Sequence, residues 1–414
     1  MKKLFQNPFI PLLLTIFIDL LGVGIVIPIL APLFLSPGSS ILPMEYTYEQ
    51  RTLLIGLISA TYPIMQFFGA PLLGSLSDRY GRKPTLILSL FGTFFGYILF
   101  GIGIIQHSLP LMFIGRAIDG FTGGNISIAQ SAIADMTKPE ERARNFGFIG
   151  MAFGLGFILG PYIGGKLVDP TIVSWFSNST PYFFTAGLTL INILSLFLLF
   201  PETLKEKIKS PIGVMTGFRN LRKAISMTTL RKLFLVSFLL TFGFNFFTQF
   251  FNPFLIQKFE VTPSQAGDIF AYMGLFVALF QGGLLPFLNK RFNSSQILNV
   301  SIFGISLAFL LLLLPNKLLG IYLILPILAL FQGLTQPNVT ALISNNAKEN
   351  SQGDILGVNQ SINSLAQAIP PIISGFIFSI NISLPILVGA GATLLAWMIF
   401  LVKKSVKEEL FEEE

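Results

Sequence analysis

The chain has 414 residues, of which 52% are hydrophobic and only 11% charged, with a formal net charge of +7. Soluble domains carry about 25% charged residues, so a chain this large and apolar cannot clothe a water-facing surface, and lipid must be its main solvent. There is no Cys, which excludes disulfides and thiolate metal sites, and the single His, His107, leaves no basis for a His-built metal centre.

In chain order, Met1-Lys2-Lys3 precedes a long apolar run. A cleaved leader has that beginning, but the run from Pro8 to Leu35 is too long for one, carries Asp19 and lacks a small-x-small cleavage site. It reads instead as a first membrane span. A helix needs about 20 apolar residues to cross a hydrocarbon core of about 30 Å. Candidate spans follow at 8–35, 52–76, 84–106, 109–134, 144–168, 180–200, 231–257, 264–288, 296–315, 318–344, 355–380 and 383–402. Helices are expected because lipid offers backbone groups no partner.

Charge sets the orientation. Of the 27 Lys and Arg, 22 fall at the N-terminus, in alternate connections and in the tail. Only Arg51, Lys166, Lys258 and Lys317 lie in the opposite connections, and Arg116 lies within a span. Excess positive charge marks the cytoplasmic side, so both termini are expected there, in a multi-pass protein of the cell (inner) membrane. Basic residues spread over seven segments as anchors also argue against a nucleic-acid partner.

The longest polar connection, 201–230, divides the chain near its middle, and one half resembles the other. Ile133 to Gly147 aligns with Ile343 to Gly357, and Gly160 to Gly165 with Pro370 to Gly375, both at an offset of 210. Leu72-Leu73 and Phe91-Gly92 align with Leu284-Leu285 and Phe303-Gly304. The expectation is an all-α membrane protein of twelve transmembrane helices in two pseudo-symmetric six-helix bundles. The first covers 1–200, a cytoplasmic linker 201–230, the second bundle 231–402, and an acidic cytoplasmic tail 403–414. Duplicated halves of this kind place a substrate path at their interface near mid-membrane.

Four features could carry chemistry. The connection after the second span reads Gly74-Ser75-Leu76-Ser77-Asp78-Arg79-Tyr80-Gly81-Arg82-Lys83-Pro84, a tight turn with one acid and three bases beside the chemistry of a short loop. In the fifth span Gly156, Gly160 and Gly164 fall four apart on one face, followed by Pro161 and Gly165, a spacing suited to close helix packing. Charges inside spans are costly and therefore candidates for function. Asp19 lies near mid-depth, and Arg116 and Asp119 share one face of the fourth span. A carboxyl group withdrawn from water holds a proton more readily and a nearby guanidinium opposes this, so Asp19, Asp119 and Arg116 are candidates for proton coupling, with Arg116–Asp119 equally readable as a structural ion pair. The second half instead offers amides: Asn245, Gln249 and Asn252, then Gln281, then Gln332, Gln336 and Asn338, then Asn359, Gln360, Asn363 and Gln367. Gln66, Asn245, Gln249, Gln332, Gln336, Asn359 and Asn363 are the candidate substrate contacts. Phe246, Phe247, Phe250 and Phe251 among them would suit a flat apolar or aromatic substrate.

Gly74, Asp78, Gly81 and Arg82 resemble the signature loop of the major facilitator superfamily, and Gly156 to Gly165 resembles the glycine-proline motif of its antiporters. With Phe17 to Gly24, Gln66 to Leu90 and Gly115 to Thr137, the chain is similar to the drug:H+ antiporter branch, and within it to the tetracycline efflux proteins. The resemblance implies the major facilitator fold, alternating access and Asp19 as the span-1 acid. It implies a gating loop of Gly74, Asp78, Arg79, Gly81, Arg82 and Asp135. Asp78 would cap the start of the eleventh span near Gly353 to Leu356, and Arg82 would pair with Asp135. The glycine face would pack on the other half. Two departures stand out: Gly96-Tyr97 occupies the place of the tetracycline group's span-3 acid, and its span-8 His has no counterpart.

The resulting expectation is proton-coupled efflux of small hydrophobic or amphiphilic compounds by a monomer in the bilayer, using no cofactor or metal. A nutrient facilitator or symporter of the same superfamily, and a non-transporting receptor or scaffold, are the alternatives. No nucleophile–base set or phosphate-cradling loop suggests an enzyme.

Overall fold

A computed structural model describes residues 9–35, 41–137, 152, 155–156, 159–204, 213, 215–346 and 352–402. All regular structure among them is helical. The helices are α1 (Phe9–Leu35), α2 (Tyr48–Tyr80), α3 (Arg82–Ile105), α4 (Leu109–Thr122), α5 (Asn125–Met136), α6 (159–167), α7 (Thr180–Leu199), α8 (Thr216–Ser226), α9 (Thr228–Phe259), α10 (Pro263–Leu279), α11 (Leu285–Leu288), α12 (Ser294–Leu311), α13 (Leu318–Asn345), α14 (Gln352–Ile380) and α15 (Leu384–Leu401). A π-helical turn, Phe280–Leu284, joins α10 to α11.

Ten helices among the described residues are long and apolar enough to cross a membrane. The two remaining candidate spans depart for separate reasons. Much of 144–168 lies outside the described residues, including the aligned Gly147. The span expected at 109–134 is not continuous: it breaks at Gly123-Gly124 into α4 and α5, of 14 and 12 residues. At 1.5 Å per residue these reach only about 21 and 18 Å. Adjacent glycines are weak helix formers, and the carbonyl freed at the break is taken up from outside, since Gln66 Nε2 donates to the Gly123 oxygen at 2.8 Å. The connection 201–230 also differs from a plain linker, because α8 forms within it. The tail 403–414 lies outside the described residues.

By packing, the chain forms two compact units. One is Met1–Thr216 with Val261–Gly274; the other is Gly217–Glu260 with Leu275–Glu414. The first half of α10 thus groups with the first unit. Within that unit a core of Leu12, Ile16, Leu73, Leu86, Leu90, Ile128, Ile133, Ile193 and Leu196 lies among α1, α2, α3, α5 and α7. The second unit has its own core, from Leu233 and Phe234 of α9 to Ile302, Ile343 and Val358.

In lipid there is no hydrophobic drive between helices, so their association depends on close backbone approach and interhelical hydrogen bonds. The α3–α4 contact illustrates this. A Cβ built on Gly96 would stand 2.8 Å from Asp119 Cβ and 2.9 Å from the Gly115 oxygen. Outside the helices, Arg51 ties down the 41–47 connection by donating to the carbonyls of Phe34 (2.9 Å), Pro43 (2.9 Å) and Tyr46 (3.1 Å).

Gly96→Val should therefore force α3 from α4 and cost about 1–3 kcal/mol, seen as a lower thermal midpoint in detergent. Gly187→Ala, where an added Cβ meets nothing within 4 Å, should leave the midpoint unchanged or slightly higher.

Candidate functional site

Asp19 is the eleventh residue of α1, about 15 Å along its axis, and is 3% exposed. Its Oδ1 accepts a hydrogen bond from Asn125 Nδ2 at 2.9 Å. Asn125 is the first residue of α5, so the break in the fourth span is what carries this amide to the carboxylate. Asp19 Oδ2 has no partner among the described residues. On α4, Arg116 Nη1 donates to Asp119 Oδ2 at 3.2 Å, and both side chains are buried. Asp119 Oδ1 and Arg116 Nε remain unpartnered among the described residues. The Arg116 guanidinium lies over the Tyr62 ring, 5.0 Å from its centroid, and Gln66 Nε2 also reaches the Tyr62 hydroxyl at 3.3 Å.

Tyr97, from the position of the absent span-3 acid, is buried with its hydroxyl against Gly22 of α1. Tyr62 and Tyr97 both lie within electrostatic reach of Asp19, Asp119 and Arg116. Tyr182 of α7, within reach of Arg116 and Asp119, stacks on Phe100 at 4.4 Å. Six helices thus bring two carboxylates, one guanidinium, three phenols and two amides into a single buried cluster. Sequence reasoning singled out Asp19, Arg116, Asp119 and Gln66. It missed Tyr62, Asn125 and Tyr182, whose only signal was a polar atom well inside an apolar run.

A second arrangement surrounds the turn between α2 and α3. Gly81 has φ 120°, a conformation that side chains disfavour. Arg82, 8% exposed, donates through Nη1 to Asp78 Oδ1 at 2.5 Å and to Ser77 Oγ at 2.7 Å, and through Nε to Asp135 Oδ2 at 3.0 Å. Arg79 is exposed beside the Tyr80 ring, and Gly74 faces open space. Glu202, which sequence reasoning did not single out, caps α3: its Oε1 accepts the Arg82 N–H at 2.9 Å and its Oε2 the Lys83 N–H at 3.2 Å. In return Lys83 Nζ donates to the Phe197 carbonyl at the end of α7, at 2.9 Å. Asp354 lies in the first turn of α14, but its side chain falls outside the described residues, as does that of Leu356, so the expected Asp78 cap does too.

The glycine face of the fifth span packs differently from expectation. Cβ atoms built on Gly156, Gly160 and Gly164 would stand 2.8, 2.6 and 2.6 Å from the carbonyls of Phe17, Leu21 and Ile25, all on α1. This face serves the first half's own packing, because its spacing matches the turns of α1. Gly165, turned away from it, meets α10 instead: a Cβ built on Gly165 would stand 2.6 Å from the Pro263 oxygen, and one built on Gly267 would stand 2.6 Å from the Pro161 oxygen. Lys166 extends that contact, with Nζ 2.9 Å from Ser264 Oγ and from Asp268 Oδ1.

The second-unit amides divide into engaged and unengaged groups. Asn363 Oδ1 accepts from Ser237 (3.1 Å) and Thr241 (3.2 Å), while Asn245 and Asn338 donate to carbonyls of their own helices. Asn359 is buried with Oδ1 unpartnered among the described residues; Gln249 and Gln332 are half-buried and Gln336 is exposed. Phe246, Phe247, Phe250 and Phe251, expected to face a substrate, are at most 1% exposed. They form an aromatic core, with Phe247 against Phe309 at 5.2 Å and Phe250 against Phe378 at 5.2 Å.

The chain is a multi-pass helical membrane protein with charges buried inside its bundle. Residues 12–371 match the Major Facilitator Superfamily, and the chain belongs to it. It is 29% identical over 392 residues to the class H tetracycline resistance protein of Pasteurella multocida, covering 91% of this chain and 90% of that one. It is 26% identical over 403 residues to the quinolone resistance protein NorA of Staphylococcus aureus, covering 96% and 97%. In fold it is similar to the human organic anion transporter MFSD10, with a TM-score of 0.74 and 23% identity over 96% of this chain and 99% of that one.

Glu202→Ala leaves the first two N–H groups of α3 without their cap and should cost about 1–2 kcal/mol in thermal unfolding. Glu202→Gln, which keeps one acceptor, should cost less.

Proposed function

We propose that this protein is a proton-driven exporter of small hydrophobic or amphiphilic compounds, drug-like or tetracycline-like, working by alternating access. It acts as a monomer in the cell membrane with both termini cytoplasmic. The observation that carries the reading is the charge balance of the buried cluster. Arg116 can neutralise one carboxylate; Asp19 and Asp119 are two, and an oxygen of each lacks a partner among the described residues. An unaccompanied negative charge in hydrocarbon is costly, so the second carboxylate is stable only with a proton or a cationic cargo beside it. Exchange of one for the other is the elementary step of antiport.

The tetracycline and quinolone resistance relatives support a drug-like cargo. The crowding of α6 between α1 and α10 supports the antiporter reading of Gly156, Gly160, Pro161, Gly164 and Gly165. Arg82 between Asp78 and Asp135 supports a latch that must open in each cycle. Asn359, whose Oδ1 lacks a partner among the described residues, and the half-buried Gln249 and Gln332 are the proposed cargo contacts in the second unit, with Gln336 nearer the surface.

In vesicles bearing a pH gradient, Asp19→Asn should abolish gradient-driven efflux of a fluorescent dye and make whatever dye binding remains independent of pH, and a protonophore should abolish efflux by the native protein. Unchanged efflux in Asp19→Asn would end the assignment.

A further inference from the structure

We infer that α8 is a membrane-surface helix that binds anionic phospholipid headgroups through Arg219, Arg222 and Lys223, with Phe218 and Ile225 set into the headgroup–acyl boundary.

The depth of α8 follows from what it touches. Its inner face, Gly217, Leu221 and Ala224, repeats at helical spacing. Ala224 packs into the core of the second unit with Leu230 and Leu233 of α9, and Leu221, Met227, Trp397 and Phe400 border the same core. Asn220 Nδ2 donates to Ser361 Oγ of α14 at 2.9 Å. On α9 the bases Arg231 and Lys232 give way to an apolar run from Leu233, Ser361 is the tenth residue of α14, and Phe400 is one residue from the end of α15. The basic-to-apolar change on α9 and the end of α15 therefore place α8 at the level where hydrocarbon gives way to headgroups. Trp397, whose Nε1 donates to the Asn299 carbonyl at 2.9 Å, is a residue type favoured at that level.

The outer face has the chemistry of the same layer. Phe218 is 50% and Ile225 66% exposed, one on either side of the exposed Arg222, with Arg219 beside them. From Thr216 to Ser226 there are three basic residues and no acid, and Arg231 and Lys232 follow on α9. In water such a face would leave large apolar groups solvated; in the interface it buries them while the bases meet lipid phosphates. Positive charge alone would equally admit an acidic protein or nucleic acid. Phe and Ile on the same face, at the depth where α9 turns apolar and α15 ends, select the lipid.

The absence of Cys from the chain allows a direct test that does not depend on transport. Ile225→Cys in the full-length protein, carrying a nitroxide label, is placed in nanodiscs of phosphatidylcholine with and without phosphatidylglycerol. Accessibility to oxygen, which partitions into lipid, is compared with accessibility to a water-soluble nickel chelate. The expected result is an oxygen-favoured label whose oxygen-to-nickel ratio rises severalfold with phosphatidylglycerol, and loss of that rise when Arg219→Gln, Arg222→Gln and Lys223→Gln are combined. Arg222→Gln alone, at an exposed position, should show a partial loss and guards against misfolding of the triple variant. A label open to nickel in both membranes, a label shielded from both reagents, or a phosphatidylglycerol effect that survives the substitutions would overturn the inference.

Discussion

Two carboxylates and one guanidinium are enclosed in the first unit at a depth where water cannot balance them. The helices around them are shaped by that constraint. The fourth span breaks at two glycines, and the break does two things at once: it exposes a carbonyl that Gln66 takes up and it turns Asn125 toward Asp19. Discontinuous helices lining polar sites are a recurrent device of secondary transporters, because irregular backbone at membrane depth survives only where something polar receives it. Tyr62, Tyr97 and Tyr182 add polar atoms without adding a cation, so the cluster keeps one carboxyl group more than Arg116 can balance.

Around the cluster, the protein is held by contacts suited to lipid. Glycine-backed approaches join α3 to α4 and α6 to α1, where larger residues would hold the backbones apart. At the turn between α2 and α3, polar bonding replaces apolar packing. Arg82 is fixed by its side-chain contacts to Asp78 and Asp135 and by its own N–H to Glu202. These bonds tie the ends of α2 and α5 and the segment after α7 to the start of α3.

The helical membrane class and ten of the twelve expected spans were legible because hydropathy and length are one-dimensional properties. Asp19, Arg116 and Asp119 drew attention because a charge in an apolar run is conspicuous. Their neighbours did not: Tyr62 and Tyr182 pass for ordinary aromatics, and Asn125 matters only because the chain breaks beside it. Glu202 could not be placed, since its cap lies 120 residues away in the chain. The four phenylalanines of α9 were read as lining a path because composition cannot tell a packed aromatic core from an open wall. The helix α8 was hidden by its polar composition, although Gly217, Leu221 and Ala224 already carried the spacing of a buried stripe.

The central claim is that the surplus buried carboxylate trades a proton for cargo. It is tested most directly by the protons appearing in weakly buffered detergent solution when a transported dye binds the purified protein. The account predicts net proton release on binding, reduced when Arg116 is retained but either Asp19 or Asp119 is neutralised. Dye binding with no proton release at any pH would contradict it.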